Sequence, residues 1–373
     1  MIINDIVRIL EQWAPPAYQE SYDNSGLIVG NRSDKVTGIL CCLDSTEAII
    51  DEAVELGYNM VVAHHPIVFS GLKQLTGKNY IERTLLKAIK ADIAIYAIHT
   101  NLDNVHTGVS NMMAEKLGLV NRQILAPKKG LLSKLVTFAP LAEAEVLRNA
   151  LFDAGAGVIS NYDQCSFNVE GKGTYRGNEL SNPTIGVPGQ SHTEQETRIE
   201  VLVPNHLQGK VLSALNAAHS YEEVAYDFYP ILNSHPQVGS GMVGDLPNPM
   251  DESTFLAKIK TDLKTDCIRH TALLDKKISR VALCGGAGSF LLNNAKQAGA
   301  QSFITADYKY HQFFDADGEL LIADVGHFES EQFTIELLHS HLNERLKQPE
   351  FAEKFDNFAV RPTRICTNPV NYF

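Results

Sequence analysis

What this chain lacks narrows its class before any motif is read. Its 373 residues carry six cysteines, scattered at 41, 42, 165, 267, 284 and 366, with no CxxC among them. That spacing fits neither a disulfide framework nor a thiolate zinc site, and it suits a reducing, cytoplasmic setting. Positive charge is scarce: 32 Lys+Arg stand against 44 Asp+Glu, a net of −12. So acidic a chain repels phosphate backbones and anionic lipid, so neither nucleic acid nor a membrane is expected as a partner. No apolar run approaches the roughly 18 residues that span a bilayer. The start, Met1-Ile2-Ile3-Asn4-Asp5, has an acid where a signal peptide needs positive charge. HExxH and GxSxG are both missing. Gly71–Asn79 imitates a P-loop but has five residues between its glycines and Asn79 in place of Ser or Thr. Cys284-Gly285-Gly286-Ala287-Gly288-Ser289 imitates a dinucleotide fingerprint, but Leu291 stands where the third glycine belongs. It reads as a tight strand–helix turn, with an anion cradle of backbone N–H groups as the alternative.

What remains is globular. A hydrophobic fraction of 44% and a charged fraction of 20% exclude wholesale disorder. At about 100–200 residues per domain, two or three domains are expected. From Val36 onward short apolar runs alternate with helical patterns: strands at Val36–Leu43, Met60–Ala63 and Ile93–Ile98, helices at Thr46–Leu56, Asn79–Lys90 and Gly108–Leu117. Continuous apolar strands separated by helices imply a parallel sheet covered on both faces. The plan recurs from Ile278, with strands Ile278–Cys284, Ser302–Thr305 and Leu320–Val325, and helices Phe290–Ala298, Tyr308–Phe314 and Glu331–Leu346. The two stretches align, His99-x-x-x-Asp103 falling on His327-x-x-x-Glu331, which predicts an internal duplication. Between them the order changes to β-α-β-β-α-β, the ferredoxin-like plan. The fold predicted is therefore α/β: an internally duplicated domain in two pieces, 1–127 and 233–373, interrupted by a ferredoxin-like domain at 128–232.

Ligands of open parallel sheets bind beyond the carboxyl ends of the strands. His64 and His65 directly follow one strand, Asp103 lies shortly after the next, and His327 follows a strand of the second half. With a helix starting at His327, Glu331 shares its face. Three imidazoles and two carboxylates suit zinc, iron, manganese or nickel, and they suit two ions sharing a bridging carboxylate better than one. Taken singly, each signal also has a plainer reading. His64-His65 reads as a strand-end pair bonded to carbonyls, Asp103 as a helix cap, and His327 with Glu331 as an acidic first turn.

Five segments together are distinctive: Tyr22-Asp23-Asn24-Ser25-Gly26-Leu27, Ala63-His64-His65-Pro66, His99-Thr100-Asn101-Leu102-Asp103, Thr305-Ala306-Asp307-Tyr308-Lys309-Tyr310-His311, and Asp324-Val325-Gly326-His327-Phe328-Glu329-Ser330-Glu331. On these the sequence resembles, over essentially its whole length, the Nif-three-like (NGG-interacting-factor-three-like) proteins, also called GTP cyclohydrolase 1 type 2 homologs. The resemblance implies a toroidal homohexamer with two divalent metal ions, zinc foremost, held by His64, His65, Asp103, His327 and Glu331, the last as bridge. It also implies that the insert is of the PII/CutA-like type. Tyr22 departs from the Trp many members carry. The activity that the family name suggests is hydrolytic opening of the guanine ring of GTP with loss of formate. His99, Asp307 and His311 are then candidates for proton transfer, or for hydrogen bonds that orient the ligands. Phosphoester hydrolysis at the same site, and a non-enzymatic hexameric scaffold for regulation or metal handling, are the alternatives.

Overall fold

The structure, a computed structural model, describes residues 1–356 and 358–373. The chain divides into two units, Met1–Ala126 with Val238–Phe373, and Pro127–Gln237. In chain order the strands are β1 (Gly26–Val29), β2 (Gly38–Cys42), β3 (Met60–Ala63), β4 (Ala94–Ala97), β5 (Val120–Pro127), β6 (Leu132–Pro140), β7 (Ser166–Tyr175), β8 (His192–Pro204), β9 (Tyr226–Pro230), β10 (Gly239–Asp251), β11 (Arg269–His270), β12 (Lys277–Ala287), β13 (Ser302–Ala306), β14 (Leu321–Asp324) and β15 (Ala359–Pro362).

The first unit holds two sheets, ordered β1-β4-β3-β2-β15 and β11-β14-β13-β12-β10-β5. Strands β15, β2, β3 and β4 run parallel, as do β12, β13 and β14. Apolar residues dominate these strands because both faces are covered. Along β12–β14, alternate residues serve different cores. Val281, Leu283, Ile304 and Ala323 pack into one, and Ala282, Cys284, Phe303 and Ile322 into the other. The first sheet is equally dry: every residue of β2, β3 and β4 is buried. The helices between strands start where the sequence places caps. The Thr46 hydroxyl accepts from the Ile49 N–H, and the Asn79 side chain from the Glu82 N–H at 2.9 Å.

The sheets are not parallel throughout. β1 pairs antiparallel with β4, β10 with β12, and β11 with β14. β10 carries Gly239, Gly241, Gly244, Pro247 and Pro249, which read locally as loop. Its register against β12 shifts between Asp245 and Met250, so the prolines sit where the ladder is broken. Gly241 has φ +66°, and a Cβ there would lie 2.8 Å from Leu291 Cδ1, so glycine is what lets this strand dock. The helix expected at 331–346 is two helices, His327–Glu331 and Thr334–Leu346, with Phe333 between them in the core.

The second unit follows the order β6, helix Ala144–Asp153, β7, β8, helix Gln208–Ala218, β9. Its sheet is ordered β7-β8-β6-β9, with every pair antiparallel. Leu147 and Leu151 of the first helix and Val211 and Leu215 of the second bury against Leu135, Ile199, Val201 and Val203 of the sheet. The unit extends past residue 232. The His235 N–H donates to the Lys128 carbonyl at 2.7 Å, tying that segment to the unit's own start.

Candidate metal centre

Each candidate side chain is placed by a strand end. β3 stops at Ala63, and the His64 and His65 N–H groups continue its pairing to the Cys42 and Leu43 carbonyls at 3.2 and 2.9 Å. Short helix Thr100–Asp103 follows β4 and carries Asp103. Helix His327–Glu331 follows β14 through Gly326 at φ +92°, and it puts His327 and Glu331 one turn apart.

These stretches converge. His65 Nε2 lies 3.0 Å and His327 Nε2 3.1 Å from Glu331 Oε2, and the two nitrogens are 3.4 Å apart. On the other side of the same carboxylate, His64 Nε2 is 3.9 Å from Glu331 Oε1 and 3.6 Å from Asp103 Oδ1. The result is two groups of three donors, His65/His327/Glu331 and His64/Asp103/Glu331, sharing Glu331. His99 forms a further group with His64 and His65.

Each imidazole is oriented from behind. Nδ1 of His64 donates to the Ile98 carbonyl at 2.8 Å, and Nδ1 of His65 to Asp44 Oδ1 at 2.7 Å. His327 donates to Asp307 Oδ2 at 2.7 Å and His99 to Asp23 Oδ1 at 2.8 Å. With Nδ1 committed, Nε2 is the free donor atom of His64, His65 and His327. Asp23 is itself pinned by the Thr100 N–H at 3.0 Å, the Thr100 hydroxyl, and the Ser25 hydroxyl at 2.9 Å.

A cation fits this set. His64 Nε2 and Asp103 Oδ1 are both buried with no hydrogen-bond partner, an arrangement that costs free energy unless something positive satisfies them. Ligand atoms about 2.0–2.2 Å from a tetrahedral ion stand about 3.3–3.6 Å apart, the range that these donors span to within a few tenths of an ångström. The electrostatics agree. Burial pushes the Glu331 carboxyl up, but His327, His64 and His65 outweigh it and hold it well below the usual range. Burial raises Asp103, with His64 pulling it down and Glu331 pushing it further up. Burial also opposes charge on His65 and His327. Even so, Asp44 and Glu331 lift His65 to about 9, and Glu331 with Asp307 lifts His327 to about 11. In the absence of an ion, protons on these imidazoles supply the positive charge that the buried carboxylates require.

All five proposed ligands therefore meet. Of the other three candidates, His99 joins the cluster and Asp307 backs His327, whereas His311 is exposed, stacked near Tyr310 and Phe314, and absent from the cavity wall. Asp44 is not marked by the sequence reading, and Asp23 enters it only as part of the Tyr22–Leu27 segment, with no role given. Asp44 sits just past the end of β2, the same positional signal that marks His64. The glycine-rich stretch at 284–289, expected as a turn, continues strand β12 through Ala287, and its N–H groups at 286 and 288 are bonded within the chain rather than left for an anion. The Gly286 N–H donates to Ser330 Oγ and the Gly288 N–H to Thr305 Oγ1, both at 2.9 Å. A Cβ on Gly286, at φ +62°, would lie 2.4 Å from Glu331 Oε1. The cluster lies in a cavity of about 1090 Å³, large enough for a nucleotide-sized molecule. Among the described residues no helix is long and apolar enough to cross a membrane.

Fold and cluster together define a class: an α/β protein whose strand ends gather a His/carboxylate group able to hold metal ions. The profile of one family, Duf34/NIF3 (NGG1p interacting factor 3), matches residues 1–362. The GTP cyclohydrolase 1 type 2 homolog of Halalkalibacterium halodurans is 36% identical over 370 residues, covering 98% of each chain. That of Bacillus subtilis is 36% identical over 325 residues, 87% of each. A solved structure of a Bacillus cereus protein related to NIF3 superposes with a TM-score of 0.88 at 37% identity, covering 100% of this chain and 99% of that one. The chain belongs to the Duf34/NIF3 family.

Proposed function

We propose that this protein is a metal-dependent hydrolase acting on a nucleotide, with two divalent ions held by His64, His65, Asp103, His327 and Glu331. The observation that carries this reading is the division of Glu331, one oxygen toward each group of donors. Zinc suits the nitrogen and oxygen donors best, with iron, manganese and nickel next. When bound, such a pair supplies Lewis acidity and a nucleophile from water at neutral pH. The chain's own residues do the rest. Asp44 and Asp307 hold His65 and His327 in the ligating tautomer, and His99, hydrogen-bonded to Asp23, would carry a proton at its other ring nitrogen. The relatives' name points to a guanine base as the reacting group.

The organisation that goes with this reading is a cytoplasmic homohexameric ring. It contains a duplicated metal-binding domain, supported by the same parallel neighbour order in β2-β3-β4 and β12-β13-β14. The 127–237 unit is read as a ferredoxin-like insert, supported by its element order and antiparallel sheet.

The test is turnover. Ion-loaded protein is offered a panel of nucleotides, and formate and inorganic phosphate are both followed. Formate release that disappears with a chelator and in Glu331→Gln is expected. Phosphate release with an intact base moves the reaction to the phosphoester, and no product from any nucleotide leaves a scaffold rather than an enzyme.

A further inference from the structure

The wall of the cavity says which part of a substrate it can receive. Besides Asp103 and Glu331, the carboxylates of Glu20, Asp44, Asp307, Asp324 and Glu329 line it, and Arg269 is the sole Lys or Arg among the described lining residues. That guanidinium is already engaged. It pairs with Asp324, donates to the Tyr308 carbonyl at 3.0 Å, and stacks 5.5 Å from the centre of the Phe313 ring. Two divalent ions and Arg269 would together bring five positive charges against seven carboxylates. The Gly286 and Gly288 N–H groups of the glycine-rich stretch are spent on Ser330 and Thr305. One phosphate could sit on the ions, but for a second or third the described wall offers no uncommitted Lys or Arg and a net negative charge.

The apolar part of the wall has the opposite character. Tyr22, Phe69, Tyr80, Phe290 and Tyr372 line the cavity and are each more than half exposed. Large aromatics left in water around one cavity mark a surface kept for a ligand, and their flat faces suit a flat ring. Phe69 meets His99 edge to face at 5.7 Å between ring centres, which brings this apolar surface up to the histidines.

We propose that the cavity receives a planar heteroaromatic compound bearing at most one phosphate, a nucleoside or nucleoside monophosphate, and rejects the triphosphate. This rests on the hydrolase reading only for the presence of ions. Its test is binding, not turnover: equilibrium dialysis of guanosine, GMP and GTP against the full, ion-loaded chain, with ion content measured after each run. Guanosine and GMP are expected to bind at least about tenfold more tightly than GTP, with the gap narrowing at high salt as the repulsion is screened. Phe69→Ala and Phe290→Ala, both at exposed positions, should each weaken guanosine about tenfold and leave ion content unchanged. GTP binding as tightly as guanosine, affinity untouched in both variants, or no binding of any of the three overturns the proposal. Absent turnover would sink the hydrolase reading and leave this result to stand on its own.

Discussion

On the proposed two-ion site, Asp103→Asn and Glu331→Gln separate a private ligand from a shared one. Asp103 belongs only to the donor group with His64, whereas Glu331 gives Oε1 to that group and Oε2 to the group with His65 and His327. Asp103→Asn should lower the ion content from two per chain to one, and Glu331→Gln should lower it toward zero. Stability follows by mass action. An ion present at about 100 times its dissociation constant adds about 2.7 kcal/mol, so two add about 5 kcal/mol. In a unit of this size about 1 kcal/mol moves Tm by about 2–4 °C, so chelation should cost the wild type about 10–20 °C. Asp103→Asn should show about half that chelator effect and Glu331→Gln almost none. The ion-free forms differ too. Asp103 has its carboxyl pushed up by burial, so the neutral amide is tolerated, whereas Glu331 pairs with protonated His65 and His327 and its loss leaves them uncompensated. Elemental analysis and thermal melts with and without chelator read both quantities, and circular dichroism checks that each variant folds. Equal ion loss in the two variants, or one ion retained by Glu331→Gln, refutes the shared-carboxylate argument.

Asp44→Asn keeps a carbonyl oxygen for His65 but removes the charge behind it. Ion affinity should fall about 10–100-fold with little change in the fold, as measured by competition with a chromophoric chelator. Gly286→Ala puts a Cβ 2.4 Å from Glu331 Oε1 at φ +62°. The strain of about 1–2 kcal/mol is survivable, but the displaced carboxylate should deplete both ions, and full occupancy would contradict the geometry. The only tryptophan, Trp13, stacks on His341 with ring centres 3.9 Å apart. Burial, helped by Arg345, lowers His341 to about 4. The folded pKa lies below the unfolded value, so this contribution to stability is complete above about pH 6.5 and is lost as pH falls toward 4. The shift corresponds to a ceiling of about 3 kcal/mol, and solvent screening at this half-buried ring brings it to about 1–2 kcal/mol. Trp13 fluorescence should titrate with a midpoint near pH 4 that vanishes in His341→Phe, and a midpoint near 6.5 would show the ring to be solvated.

Six of the seven parallel strands were legible because burial on both faces writes itself as an uninterrupted apolar run, whereas the partly exposed β15 was not read from the sequence. Met60–Ala63 has the bounds read from the sequence, and the neighbouring strands differ only at their ends. The antiparallel strand β10 was not legible. Its glycines and prolines spell a loop, and they form a strand only because β12 and β5 on either side supply partners. Propensity is a local quantity, whereas pairing is not.

The same division runs through the site. Local pattern marked His64, His65, Asp103, His327 and Glu331 as candidates, since polar side chains capable of ligation stood just past buried strands, and the family resemblance grouped them. Local pattern could not say that Glu331 faces His65 across 266 residues of chain, that one oxygen turns to each donor group, or that Asp44 and Asp23 stand behind two of the imidazoles. Nor could it separate Asp307, which reaches His327, from His311, which turns to Tyr310 and Phe314 a few residues on. Residue type and position along a strand are properties of the chain. Distance between side chains is set by how two sheets pack, and only the folded core decides that.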